Sequence, residues 1–164
     1  VSVGATDQNG PIAGAVYIPA LGEMFSAARG AGATLNNHTI AVRKNSAASD
    51  ALVGTGFAYD PAKRTAHAKV LTHIMGHIRD IRRFGAAAID LCFVACGRYD
   101  AYFERGLHSW DLVAGQIIAT EAGAVFSDFS GKPVTPAEVL CSQPDIHSEL
   151  QELIASAHAT VSSD

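Results

Sequence analysis

The spacing of hydrophobic and polar residues divides the chain into two parts. In the first part, short apolar runs alternate with small or polar residues, which is the two-residue period of β-strands. This pattern predicts strands over residues 1–5, 12–18 and Glu23–Ala28, with a turn at residues 7–10. Strands joined by such short turns pair with their neighbours, so the first part is predicted to be an antiparallel meander.

The second part follows a polar, small-residue segment at 43–50, where we place a domain boundary. Residues 1–48 are interpreted as the tail of one α/β domain and residues 49–164 as a second α/β domain. Strands are predicted near residues 52–57, 81, 100–104, 124–129 and 139–142, and helices over 61–78, 85–96, 110–122 and 145–157. This alternation predicts an α/β fold whose sheet is covered by helices on both faces.

Composition narrows the classes of function. The chain has 164 residues, 48% of them hydrophobic and 17% charged, with a formal net charge of −4. A folded core is therefore expected, and disorder is excluded. A mildly acidic chain without a Lys/Arg block is not expected to bind nucleic acid. Neither a signal peptide nor a membrane-spanning segment is expected, and three cysteines make no disulfide framework, so a cytoplasmic location is predicted.

Two segments carry candidate chemistry. Glu104 ends a predicted strand and Asp111 begins a predicted helix, where ligands commonly bind in α/β folds. A carboxylate at a helix N-terminus can hold a hard cation such as Mg²⁺, although capping of the helix is the commoner use of such an aspartate. Gly85 lies at a second strand-to-helix junction, where the backbone can approach an anionic ligand or form a simple tight turn.

Other polar residues point less clearly to a site. His73 and His77 are four residues apart but have no evident third metal ligand. Asp90 lies in an apolar helix, where an unpaired charge is costly. Pairing with Arg82 or Arg83, or contact with a neighbouring subunit, are the alternatives for it.

Four segments, which form three matches, resemble the inositol monophosphatase family. Residues 110–123 (WDLVAGQIIATEAG) resemble its C-terminal signature, W-D-x-A-A-G-x-x-[ILV]-x-x-E-A-G-G. Residues 82–92 resemble R-x-x-G-[ST]-A-A-[ILV]-[DN]-L. Residues 12–19 and 30–36 resemble A-G-V-V-Y-x-P and G-x-G-A-x-x-N. Together these segments extend the resemblance over essentially the whole chain.

The resemblance implies a fold, a reaction and a set of site residues. The implied fold is a layered αβαβα sandwich. The implied protein is an Mg²⁺-dependent, lithium-sensitive phosphomonoesterase, commonly a homodimer, in which metals activate a water molecule. By position, Asp111 matches a metal ligand and Glu104 matches the acid that accepts hydrogen bonds from substrate hydroxyls. Gly85, Ala86 and Ala87 match the turn that lines the substrate pocket.

The chain also departs from the family pattern. Ala86 replaces a serine or threonine, so a hydroxyl is absent from the predicted pocket. The family's main metal motif, D-P-[IL]-D-G-T, and its G-E-E acid pair do not occur here. We therefore expect the chain to correspond to the C-terminal part of the family fold, truncated at its N-terminus. It is expected to be catalytically incomplete alone, with exposed apolar surface that favours self-association.

Alternative functions remain open at this stage. The favoured substrate is a small hydroxyl-rich phosphate such as inositol monophosphate, with histidinol phosphate and fructose 1,6-bisphosphate as alternatives. A non-catalytic dimerisation or interaction module is the alternative from another class.

Overall fold

The computed structural model describes residues 1–44 and 47–163. The strands in these residues are β1 (Ser2–Asp7), β2 (Gly10–Ile18), β3 (Glu23–Ala28), β4 (Ala33–Leu35), β5 (His38–Ile40), β6 (Leu52–Thr55), β7 (Asp80–Arg82), β8 (Ala101–Arg105), β9 (Val125–Ser127) and β10 (Glu138–Ser142). The helices are α1 (Pro61–Ile74), α2 (Ala87–Ala95), α3 (Ser109–Glu121) and α4 (His147–Ser163). The predicted boundary segment contains residues 45 and 46, which lie outside the described residues.

The first sheet is antiparallel throughout, with strand order β1-β2-β3-β4-β5. This confirms the predicted meander, including the turn between Asp7 and Gly10. Val16 is opposite Phe25 and both are buried, so their side of the sheet faces the core. β4 and β5 were not predicted because three residues are too few to show a period.

Helices α2 and α3 form a layer between the two sheets. α3 packs directly on β1 and β2, and this close approach depends on glycine. A Cβ on Gly14 would lie 2.8 Å from the backbone oxygen of Ala114, and one on Gly115 would lie 2.7 Å from Leu91 of α2. The small residues of these segments therefore set how closely the layers pack.

Glu121 ties the end of α3 to the first sheet. Its two carboxylate oxygens accept hydrogen bonds from the N–H groups of Gly30, at 2.9 Å, and Gly32, at 2.8 Å. Both glycines have positive φ angles, of 76° and 77°, which favour a residue without a side chain. This contact joins two segments that are far apart in sequence and that both carry the resemblance described above.

The second sheet has the strand order β7-β6-β8-β10-β9. β6 is parallel to β7 and β8, whereas β10 runs antiparallel to β8 and β9. Tyr102 and Val139 face α2 and α3, while Phe103 and Leu140 face α1 and α4. The described residues therefore stack as sheet, helices, sheet, helices. This α/β architecture agrees with the predicted fold class and accounts for four of the five implied layers.

Several predicted element ends were wrong. α1 ends at Ile74 rather than at residue 78, because residues Met75–His77 form a 3₁₀ turn. His73 and His77 therefore do not share one α-helical face. α2 begins at Ala87 rather than at Gly85, whose φ of 98° is incompatible with a helix. α4 begins at His147, after a 3₁₀ turn, and continues to Ser163.

The outer face of the first sheet carries exposed apolar side chains. Val3 is 63% exposed, Met24 41% and Tyr17 39%. The strand register places Tyr17 and Met24 side by side on this face. The predicted exposed apolar surface is thus present, and the predicted self-association stays a prediction. Within residues 1–44 and 47–163, no helix is long and apolar enough to cross a membrane.

Candidate active site

A cavity of about 620 Å³ opens where β6 and β8 end and α1, α2 and α3 begin. Its lining includes all five residues that the sequence analysis singled out, namely Gly85, Ala86, Ala87, Glu104 and Asp111. These residues come from three separate segments of the chain. Their convergence makes this cavity the candidate site.

Glu104 is held against the backbone of the neighbouring strand. A Cβ on Gly56 would lie 2.1 Å from its Oε2 atom, so the carboxylate occupies space that only a glycine leaves open. The hydroxyl of Tyr102 donates a hydrogen bond to the same oxygen. Burial raises the pKa of Glu104, and the negative charge of Asp111 adds to this shift, while the Tyr102 hydrogen bond opposes it. Glu104 is therefore a fixed acceptor at the cavity wall.

Asp111 lies in the first turn of α3. Its Oδ2 atom accepts a hydrogen bond from the N–H of His108 at 2.9 Å. This confirms that Asp111 takes part in capping the helix. The same residue also lines the cavity. Trp110, the residue before Asp111, does not pack beneath the helix. It is 70% exposed and its ring stacks on His108, with the ring centroids 4.5 Å apart.

The Gly85 turn leads directly into α2. Gly85 has a φ of 98°, Ala86 is extended, and Ala87 is the first helical residue. Ala86 provides no side-chain cap, which follows from the missing hydroxyl. Ala86 therefore offers no acceptor to the first N–H groups of α2, and such groups favour anions, while the carboxylate of Asp90 already interacts with the N–H groups of Gly85 and Ala86.

Asp90 belongs to this site, although the sequence analysis did not place it there. Only 1% of it is exposed, and its Oδ1 atom accepts a hydrogen bond from the N–H of Phe84 at 3.3 Å. Neither suggested arginine forms an ion pair with it, and Arg82 pairs with Asp80 instead. Burial raises the pKa of Asp90 to about 6, and the charge of Glu104 contributes. The presence of an acidic residue in an otherwise apolar helix was the sequence feature that could have assigned Asp90 to the site.

Four basic side chains also line the cavity, and the sequence analysis did not place them there. Lys63 and Arg64 reach it from α1, Arg83 from the turn before α2, and Arg105 from β8. Arg105 forms an ion pair with Glu138 at 2.5 Å. The other three form no ion pair with a carboxylate among the described residues. These residues come from three segments that are far apart in the sequence, so no local pattern groups them.

The described residues do not by themselves fit a magnesium site. Mg²⁺ prefers six oxygen ligands in near-octahedral geometry. Asp111 offers one carboxylate, and its Oδ2 is already engaged by the N–H of His108. In residues 1–44 and 47–163, no group of three or more His, Cys, Asp or Glu side chains could hold a metal ion.

The layered fold places the chain in the class of α/β proteins, in which ligands commonly bind where strands end, as the cavity does here. Within this class, the sequence model of the inositol monophosphatase family matches residues 1–163. The chain belongs to that family. This confirms the resemblance found in the sequence.

Known proteins agree with this assignment. The inositol-1-monophosphatase of Rhizobium meliloti is 40% identical over 156 residues, covering 92% of this chain and 58% of the relative. The Nus factor SuhB of Vibrio cholerae is 45% identical over 120 residues, covering 71% of this chain and 44% of the relative. The chain thus spans about half the length of these curated relatives.

Solved structures confirm the fold. The structure of Mycobacterium tuberculosis SuhB matches with a TM-score of 0.87 and 39% identity, covering 95% of this chain and 63% of that one. The inositol monophosphatase of Anabaena matches with a TM-score of 0.83 and 37% identity, covering 90% and 60%.

Proposed function

We propose that this chain forms the substrate-binding side of a phosphomonoesterase site for a small hydroxyl-rich phosphate, with inositol monophosphate as the favoured substrate. The observation that carries the proposal is the convergence of Glu104, Asp111 and the Gly85 turn on one cavity. Family membership and a relative called inositol-1-monophosphatase support it.

Each group has a role that suits its surroundings. Glu104 accepts hydrogen bonds from substrate hydroxyls, and its fixed position reduces the ordering cost of binding. The N–H groups that begin α2 face the anionic end of the ligand. Because the pKa of Glu104 is raised, binding weakens on acidification at a higher pH than an ordinary glutamate would require.

Asp111 is proposed as one oxygen ligand of a divalent cation, which by family resemblance is Mg²⁺. The described residues supply a single such ligand rather than a set, so we assign no hydrolytic step to them. The isolated chain is accordingly proposed to bind substrate without turning it over.

The test measures binding and phosphate release on the purified chain. Calorimetry with inositol 1-phosphate is run on the wild type, on Glu104→Gln and on Glu152→Gln, an exposed acid on α4 that serves as the control. Binding that is lost in Glu104→Gln and kept in the control supports the proposal. Equal binding by all three proteins refutes the role of Glu104.

Phosphate release is measured with Mg²⁺ and with EDTA, using inositol 1-phosphate, histidinol phosphate and fructose 1,6-bisphosphate. Phosphate release that is abolished by EDTA would refute the proposal that the isolated chain is catalytically incomplete. It would support the proposed phosphomonoesterase reaction. Asp111→Asn then weakens Mg²⁺ dependence if that carboxylate is a ligand. Unchanged activity at limiting Mg²⁺ removes Asp111 from the metal site.

A second candidate function, an interaction or dimerisation module, is favoured by the exposed apolar face that contains Val3, Tyr17 and Met24. Light scattering tests it, and a monodisperse monomer contradicts it. The homodimeric state, lithium sensitivity and cytoplasmic location implied above remain proposals of the same kind.

A further inference from the structure

The proposed function leaves one buried acid of the cavity without a role. Asp90 lines the cavity, yet only 1% of it is exposed, and it lies in the first turn of the apolar helix α2. A buried carboxylate costs free energy unless hydrogen bonds or an opposite charge compensate it. No ion pair joins Asp90 to a basic side chain in residues 1–44 and 47–163, so hydrogen bonds must supply the compensation.

The carboxylate of Asp90 reaches back to the turn that precedes its own helix. Its Oδ1 atom accepts a hydrogen bond from the N–H of Phe84 at 3.3 Å, and the N–H groups of Gly85 and Ala86 also interact with the carboxylate. These three N–H groups lie ahead of α2, where the helix offers them no carbonyl partner. Because Ala86 has no side chain that could cap α2, Asp90 takes over part of this role from inside the helix.

The Gly85 turn depends on such an anchor, because little else packs on it. Gly85 and Ala86 are exposed, and among the described residues no atom beyond the chain neighbours lies within 4 Å of where a Cβ on Gly85 would be. The ring of Phe84 packs edge to face on Phe93 of α2, with the centroids 5.3 Å apart, which fixes the side-chain end of the turn. Asp90 holds the backbone of the same turn.

Asp90 also lies close to the part of the cavity wall that carries Glu104. The negative charge of Glu104 contributes to the raised pKa of Asp90. The charge of Asp90 in turn helps to raise the pKa of Tyr102, whose hydroxyl donates a hydrogen bond to Glu104. Since such effects weaken with distance, Asp90 lies behind both the Gly85 turn and Glu104. Its hydrogen bonds therefore bear on the gap between these two groups, into which the ligand is proposed to fit.

We infer that Asp90 is a positioning residue for the ligand: its carboxylate holds the backbone N–H groups of residues 84–86 and so fixes the Gly85 turn relative to Glu104. The inference rests on the proposed function, because it assumes that the ligand binds between these two groups. Asp90 acts through the turn rather than by touching the ligand. Its ability to accept hydrogen bonds is therefore what matters for binding, and its charge is not.

The test separates the accepting oxygen from the charge and from the stability of the fold. Calorimetry with inositol 1-phosphate and urea unfolding are applied to the wild type, Asp90→Asn, Asp90→Ala and Glu121→Ala. Asparagine keeps an accepting oxygen but removes the charge, whereas alanine removes both. Glu121→Ala is the matched control, because Glu121 also accepts hydrogen bonds from two backbone N–H groups but does not line the cavity.

Asp90→Ala is expected to raise the Kd for inositol 1-phosphate about tenfold, while Asp90→Asn stays within about threefold of the wild type. Both alanine variants lower the free energy of unfolding, but Glu121→Ala keeps the wild-type Kd. Unchanged affinity in Asp90→Ala overturns the inference. An equal loss in Asp90→Asn also overturns it, because the charge would then carry the effect. The same loss in Glu121→Ala would assign the effect to stability alone, with the same consequence.

Amide exchange of the folded wild type is a second test that needs no substitution. Gly85 and Ala86 are exposed, so their N–H groups exchange as fast as those of an unstructured peptide unless an acceptor holds them. Slow exchange is expected at both positions, and it should persist in Asp90→Asn. Fast exchange at both positions in the wild type overturns the inference, even if Asp90→Ala does not fold.

The proposed function and this inference fail in different ways. If Glu104→Gln abolishes binding and Asp90→Ala does not weaken it, the positioning role is wrong and the proposed function stands. If Asp90→Ala weakens binding and Glu104→Gln has no effect, the positioning of the turn stands and the role of Glu104 is wrong. If the wild type does not bind inositol 1-phosphate, both are overturned.

Discussion

Replacing Gly56 by alanine is a direct test of how the site is built. The new Cβ would lie 2.1 Å from Oε2 and 2.3 Å from Cδ of Glu104. Gly56 has no positive φ angle, so alanine fits the backbone. The substitution therefore displaces the Glu104 carboxylate from the place where the structure holds it, whereas the added Cβ meets no backbone atom among its three nearest neighbours.

The size of the effect follows from this overlap. Nonbonded carbon atoms are most stable about 3.5–4.0 Å apart, so the carboxylate must retreat by about 1 Å or more. Displacement of that size removes a charge-assisted hydrogen bond to the ligand, worth about 1.5–3 kcal/mol. The Kd for inositol 1-phosphate is expected to rise about ten- to hundredfold. The free energy of unfolding should fall by only about 1–2 kcal/mol, because the side chain of Glu104 relieves the overlap at the cost of its hydrogen bond with Tyr102.

Calorimetry and urea unfolding measure the two effects separately. Gly76→Ala is the matched control, since a Cβ there meets nothing within 4 Å and its φ is not positive. Wild-type affinity in Gly56→Ala would show that the position of Glu104 does not govern binding. A large loss of stability would show that the contact acts on the fold rather than on the site.

Four further substitutions probe other parts of the structure. Burial lowers the pKa of His67 to about 4, so the folded state keeps it neutral while the unfolded chain takes up a proton below about 6.5. The free energy of unfolding therefore falls as the pH is lowered from about 6.5 to about 4. In His67→Gln, urea unfolding should show a decrease between about pH 7 and about pH 4.5 that is smaller by about 2 kcal/mol than in the wild type. The same decrease in both proteins would contradict this role of His67. Gly14→Ala places a Cβ 2.8 Å from a backbone oxygen of α3 and should destabilise the fold by about 3 kcal/mol, measured by urea unfolding. Glu121→Gln weakens two hydrogen bonds to backbone N–H groups and should cost about 1–2 kcal/mol, with faster amide exchange in the turn that it holds. Ala86→Ser supplies the missing cap of α2 and should stabilise the fold by about 1 kcal/mol, which is measured as a higher melting temperature. An unchanged melting temperature would mean that the hydroxyl does not reach the N–H groups of the helix.

The local pattern of the sequence determined the secondary structure where segments are long or capped. The Asp60–Pro61 pair correctly predicted the start of α1, because a capping carboxylate and a proline are both suited to a first turn. The strand near residues 100–104 and the helix that ends before Gly123 were likewise predicted from the sequence. Short elements such as β4 and β5 contain too few residues to reveal a period.

The sequence also identified Glu104, Asp111 and the Gly85 turn, through the positions that they share with a family. Their meeting in one cavity was decided only by the tertiary structure. So were the burial of Asp90 beside them and the cations of α1. These features depend on contacts between residues that are far apart in the chain, and no local pattern encodes such contacts. The secondary structure could therefore be predicted from the sequence, whereas the shape and charge of the site depended on how the layers pack.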